Sequence, residues 1–207
     1  MESELVREIG MDSERIKKQF EFIKEIDKEK SIKRQNYLSD GVTRENDAEH
    51  AWHMAIMAIL LSEYSNEPID VLKTVTMILA HDLVEIKAGD TFAYDEQAKL
   101  SQRARELEAA DYIFAMLPED QGKKLRALWD EFEEGETPEA RFANAMDRTQ
   151  PLVLHAANGG KMWAEKGVNL TQLTNRVSKI AKGSEELYEF AYENFITPNV
   201  ASGKIKE

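Results

Sequence analysis

Apolar residues along this chain recur with the period of a helix almost from end to end. Between residues 13 and 29, Ile16, Phe20, Ile23 and Ile26 repeat at spacings of three and four, and Asp12 or Ser13 is placed to cap the start. Ala51, Trp52, Ala55, Ile56 and Ile59 do the same within 47–65, with Asp47 as the expected N-cap. Asn66-Glu67-Pro68 interrupts that segment, and Pro68 suits the first turn of a further helix running through about residue 83. A charged helix is expected from Asp95 to about 116, and another from Pro118 into the acidic "EFEEGE". A third starts at Pro138 and carries Asp147, with a kink or break at Pro151, where the ring removes a backbone donor. Past "NGG" at 158–160 a last helix is expected over about 171–196, broken at Gly183. No alternating strand pattern, internal repeat or low-complexity tract interrupts the series. The pattern predicts an all-α, single-domain helical bundle.

Composition narrows the function classes more than it changes the fold. The 207 residues are 42% hydrophobic and 32% charged, as in a well-packed globular domain. A formal net charge of −12 argues against a nucleic-acid polymer as partner, because phosphate neutralisation needs clustered Lys and Arg. A small phosphorylated ligand stays compatible if a local cation offsets the field. No apolar run approaches the roughly 18 residues of a membrane span, and the first residues lack a signal-peptide layout. The chain has no cysteine, which removes disulfides, thiolate zinc sites and a cysteine nucleophile together, and makes the cytoplasm the expected compartment.

The stretch "LAHDLVEIKAGD", residues 79–90, sets His81, Asp82, Glu85 and Asp90 at the end of an apolar helix. Ionisable groups avoid the interior unless they are paired or bound to a metal, so this helix end is either solvated or built around a cation. The chain has four histidines, and His50 falls in the first turn of the preceding helix. Antiparallel neighbours joined by the turn at 66–68 bring His50 near His81 and Asp82. Two imidazoles and a carboxylate suit a transition ion better than Mg²⁺ or Ca²⁺. Asp147, on another apolar helix, is a candidate fourth ligand that spacing alone leaves open.

His50, then His81-Asp82, then Asp147, within "AEHAWHMAIMA", "LAHDLVEIKAGD" and "AMDRTQPLVLHAANGGKMW", resembles the H…HD…D signature of the HD-domain metal-dependent phosphohydrolases. The likeness runs over roughly residues 13–200 and is nearest to the branch that includes bacterial 5′-deoxynucleotidases. It implies one HD-type domain over residues 1–207, with a core at about 30–160 and a helical extension over about 161–207. It also implies one divalent transition metal (Mn, Co, Fe, Ni or Zn) on His50, His81, Asp82 and Asp147. By the same resemblance Glu85 assists the attacking water or a phosphate-side proton transfer, and Asp90 lies near the sugar and the leaving oxygen. Arg34 holds phosphate, its planar, permanently charged fork suiting a phosphate monoester. Tyr37, in "RQNY" where relatives carry Arg-Thr-Gly-Trp, offers a flat surface to sugar or base.

The activity so implied is hydrolysis of (deoxy)nucleoside 5′-monophosphates by a homodimer. The rivals are a non-catalytic nucleotide or metabolite sensor, and a hydrolase of nucleoside triphosphates or an alarmone. The retained ligand set with Glu85 and Asp90 argues against the first, and the acidic composition against the second. His53 is expected to be packed or hydrogen-bonded, and His155, past the expected kink, to lie outside the site. Trp52, Trp129 and Trp163 are expected to fill cores or interfaces.

Overall fold

Capping chemistry decides where the central helices begin. Asn46 Oδ1 accepts from the Glu49 amide at 3.0 Å and Glu49 Oε2 accepts from the Asn46 amide at 2.9 Å, a reciprocal capping box. Helix α2 therefore spans Asp47–Leu61 with Asn46 as its cap, and Asp47, the expected cap, is its buried first residue. Asp70 caps α3 (Val71–His81) through the Lys73 amide at 3.0 Å, so this helix starts three residues beyond Pro68. The structure, a computed structural model, describes residues 2–91 and 96–206.

Helix α1 (Glu2–Ile26) runs through the expected cap at Asp12 or Ser13 and is followed by a 3₁₀ turn at Asp27–Ser31. After α3, a 3₁₀ turn (Asp82–Val84) and α4 (Glu85–Ala88) carry the helical path beyond the expected stop near 83. Gly89, at φ +76°, ends it in a conformation that side chains disfavour. Helix α5 (Glu96–Ala115) follows, the expected opening at Asp95 lying outside the described residues. Helix α6 (Glu119–Glu134) starts after Pro118, as expected. Helix α7 (Pro138–Ala157) is not broken: Pro151 sits inside it, and its buried neighbours Gln150 and Leu152 hold the path. The chain ends in α8 (Lys161–Lys166), α9 (Leu170–Val177), a 3₁₀ turn (Ser178–Lys182), α10 (Glu185–Ala191), a π turn (Tyr192–Ile196) and α11 (Thr197–Ala201). The break falls at Gly183 as expected, and the position needs glycine because a Cβ there would lie 2.4 Å from the Arg141 carbonyl oxygen on α7.

One element was not legible in the hydrophobic pattern. Strands β1 (Lys33–Tyr37) and β2 (Arg44–Asn46) form a small antiparallel hairpin with an irregular register, pairing Lys33 with Asn46 and Tyr37 with Arg44. Its residues are polar and the strands short, so no alternation marks it.

The main core joins Met54 and Ala58 of α2, Met77 and Ile78 of α3 and Phe142 and Met146 of α7 to Leu173, Val177, Ile180 and Leu187 of the C-terminal segment. A second cluster gathers Phe22, Ala80, Leu83, Ile113, Phe114 and Trp129. Trp129 and Trp163 are buried, as expected for core residues. Trp52 is 65% exposed, together with Ile56, Ile59 and Leu60 on the same face of α2. The periodic stripe of α1 is likewise outside: Ile16, Phe20 and Ile23 are each more than half exposed, and Phe22 enters the core instead.

Candidate metal centre

The end of α3, the start of α2 and the middle of α7 meet at one point. His50, His81 and Asp147 each offer a ligand atom there, all within 4.8 Å of one another. His50 Nε2 lies 3.3 Å from Asp147 Oδ1. Asp82 stands beside this cluster, its Oδ1 3.0 Å from His81 Nε2. Ligands on a common ion at bond lengths of about 2.0–2.2 Å sit roughly 3 Å apart, the spacing of each of these two pairs, while Asp82 stays outside the group of three that could share one ion.

Each imidazole is turned by its other nitrogen. His81 Nδ1 donates to the Ile78 carbonyl at 2.6 Å, and its ring packs on Phe132 with centroids 4.8 Å apart. Its Nε2 is buried without a hydrogen-bond partner. His50 Nδ1 donates to Gln150 Oε1 at 2.8 Å. Gln150 Nε2 in turn donates to Glu45 Oε1 at 2.6 Å and to His53 Nδ1 at 3.1 Å. Engaging Nδ1 leaves Nε2 as the available lone pair, the tautomer a metal ligand needs. His53 is thus the hydrogen-bonded histidine expected. Gln150 and Glu45 were not singled out from the sequence, although Gln150 follows Asp147 by one turn in "MDRTQP".

Electrostatics also favour a cation. Burial would raise Asp82, but His81 and Arg34 outweigh it and hold its carboxyl well below the usual range. Burial opposes protonation of His81, yet Asp82 wins and raises it to about 9. Burial and the Arg34 charge push His50 down to about 4. Burial, then Asp82 and Asp47, push Glu85 far up. Glu85 Oε2, Asp47 Oδ2 and Glu45 Oε2 are buried with no donor. Two neutralisable imidazoles with the Asp147 carboxylate, and Asp82 beside them, form a donor set that fits one divalent transition ion.

A cavity of about 300 Å³ opens above the cluster. Arg34, Glu85 and Asp90 line it. Arg34 Nη1 donates to Asp47 Oδ1 at 3.0 Å and to Asp82 Oδ2 at 2.8 Å, so its charge already holds the acids around the cluster. Arg148 and Arg176, unremarked in the sequence, also border the cavity, within 3.8 and 3.7 Å of Asp147 Oδ2. His155, expected outside, borders it because α7 stays unbroken. Tyr37 is not among the lining residues. Its ring lies between Arg44 and Lys161, its hydroxyl donates to Glu165 Oε2 at 3.0 Å, and Gln35 and Asn36 face the cavity in its place.

Known proteins share this arrangement's frame. Residues 26–188 match the family model of the HD domain. A crystal structure described as a predicted metal-dependent phosphohydrolase from Magnetospirillum magnetotacticum is 42% identical, with a TM-score of 0.89 over 93% of this chain and 96% of that one. The 5′-deoxynucleotidase HDDC2 of Homo sapiens is 30% identical over 138 residues, 66% of this chain and 66% of its own length. The 5′-deoxynucleotidase hdd1 of Schizosaccharomyces pombe is 27% identical over 150 residues, 70% of this chain and 73% of its own. No described helix is long and apolar enough to cross a membrane. On the length of the family match and the structural likeness together, the chain belongs to the HD domain family of metal-dependent phosphohydrolases.

Proposed function

We propose that the protein hydrolyses nucleoside 5′-monophosphates, deoxynucleotides foremost, to nucleoside and orthophosphate, using one divalent transition metal held by His50, His81, Asp82 and Asp147. The observation that carries this reading is the convergence of two Nδ1-anchored imidazoles with carboxylates at the floor of a cavity lined by Arg34, Arg148 and Arg176. The names of the human and fission-yeast relatives support the substrate class.

Bound there, a divalent ion supplies Lewis acidity to the phosphoryl group and acidifies the attacking water. The chain's own residues supply the rest. The three arginines offset the charge of a phosphate dianion in an otherwise acidic pocket. Water attacks phosphorus, the bond from phosphorus to the 5′ oxygen breaks, and that oxygen leaves as the nucleoside hydroxyl. Glu85, half-buried with its Oε2 enclosed, stands among acids that favour its protonated form; a cation in the cluster would reverse that preference, so Glu85 is the group to take the proton of the attacking water. Asp90, whose carboxyl burial also raises, is the group to pass a proton to the leaving oxygen.

Residues 1–207 act in this reading as one HD-type domain, since the segment after 161 completes the core against α2 and α7. The exposed apolar face of α2, with Trp52, Ile56, Ile59 and Leu60, supports a homodimer, and the cysteine-free composition a cytoplasmic site of action. A panel of nucleoside mono- and triphosphates, each assayed with Mn²⁺, Co²⁺, Fe²⁺, Ni²⁺ and Zn²⁺ and after chelation, tests the function. Phosphate release from 5′-monophosphates with every added metal absent, or from none of the panel with any metal present, sinks it.

A further inference from the structure

Beyond Asp147 the cavity continues between α7, α8 and α9, and its chemistry changes. Met162, Leu173 and Val177 make this end apolar. His155 and Trp163 also border it, and each has a buried nitrogen with no partner among the described residues: His155 Nδ1 and Trp163 Nε1. Trp163 is 0% and His155 2% exposed. Buried polar groups are nearly always paired because an orphaned one is costly, so two side by side call for a ligand with complementary atoms. These groups are also fixed in place. The His155 and Trp163 rings lie 4.6 Å apart. The wall on the α5 side differs, since Gln102 Nε2 there already donates to Glu106 at 2.7 Å.

We propose that this end of the cavity is a nucleobase subsite that selects bases carrying an oxo group, through Trp163 Nε1–H and His155. The proposal rests on the nucleotide phosphohydrolase reading of the metal centre. His155 follows Asp147 by eight residues on one helix, a rise of about 12 Å, which suits the reach from a 5′-phosphate across the sugar to the outer edge of a base. An apolar pocket with a few fixed polar groups is the usual form of such a site. Indole N–H groups only donate. A 6-oxopurine presents O6 and N7 as adjacent acceptors, whereas a 6-aminopurine sets a donor beside N7 and meets these groups donor to donor. Burial and the Arg176 charge hold His155 neutral, with its pKa pushed down to about 3, so it adds no net charge to a subsite for a neutral base.

Calorimetric titration of the whole protein with deoxyinosine and with deoxyadenosine, which differ at this edge and carry no phosphate, tests the subsite apart from turnover. Deoxyinosine is expected to bind about tenfold more tightly, the value of one well-placed hydrogen bond. Trp163→Phe keeps a ring and removes the donor. It should cut the preference to below about threefold while leaving inorganic phosphate binding unchanged, and His155→Leu is a second, independent variant. Equal affinity for the two nucleosides, no binding of either, or a preference that survives in both variants overturns the proposal. Failure of the function reading looks different: binding of deoxyinosine without hydrolysis of any 5′-monophosphate refutes the nucleotidase and leaves the subsite standing.

Discussion

Replacing Gln150 with leucine tests the metal centre through a residue that lies outside the ligand set. Leucine is close to glutamine in size, so the loss is chiefly of hydrogen bonds: 2.8 Å from His50 Nδ1, 2.6 Å to Glu45 Oε1 and 3.1 Å to His53 Nδ1. The three partners do not suffer equally. His53 is half-buried and can turn to water. Glu45, raised to about 7 by burial, can take up a proton. His50 is fully buried, and its Nδ1–H is left without an acceptor. An orphaned buried group costs about 1–3 kcal/mol, and His50 alone sets the expected destabilisation of Gln150→Leu in that range. The ring is also free to place its proton on Nε2, which blocks ligation, and loss of such an outer partner lowers metal affinity about 10–100-fold. Competition of the metal-free protein against a chromogenic chelator for Co²⁺ or Zn²⁺ reads the affinity, and thermal unfolding reads the stability. Gln150→Glu restores an acceptor to His50 and should recover metal affinity below pH 7, where Glu45 is protonated. Wild-type affinity in a folded Gln150→Leu variant, or equal loss in the leucine and glutamate variants, would refute the reasoning.

Three further outcomes follow from the same geometry. Glu85→Gln keeps the shape of a buried group whose Oε2 has no donor and removes the proton acceptor, so kcat should fall about 10²–10⁴-fold with metal affinity intact by chelator competition; a fall of less than tenfold would move the role to Asp90. Metal binding must displace a proton from His81, whose pKa Asp82 raises to about 9, so apparent affinity should climb about tenfold per pH unit from pH 6 and level off near 9. The sign is set by the raised value, because the competing proton is bound below it and gone above it; affinity flat across that window would contradict the assignment. Paired Trp52→Glu and Ile59→Glu substitutions place charge on exposed apolar positions of α2 and should give a monomer by sedimentation velocity where the parent is a dimer; a dimer unchanged by both would move the interface elsewhere.

Much of the fold is local in origin and was legible in the chain. Helical periodicity marks most of the elements from α1 to α10, and Pro118 and Pro138 begin their helices because a missing N–H costs nothing in a first turn. His50, His81, Asp82 and Asp147 could be picked out because a short turn between antiparallel helices brings the first three together, and because four candidate ligands in that order resemble a known signature. Features that depend on which surfaces meet were not legible. Ile16, Phe20 and Ile23 make as good an apolar stripe as any buried one, yet the chain turns Phe22 inward, and periodicity says only that a face is apolar, not that a partner covers it. Pro151 reads as a kink or break, but packing on both sides of α7 outweighs one lost hydrogen bond, and the unbroken helix carries His155 to the cavity. Gln150 and His50 are separated by 100 residues, and no local preference links them. The sequence by itself determined the helices and the ligand types; tertiary structure decided the tautomers, the charges and the walls of the cavity, because these depend on atoms brought within a few ångströms only when distant segments pack.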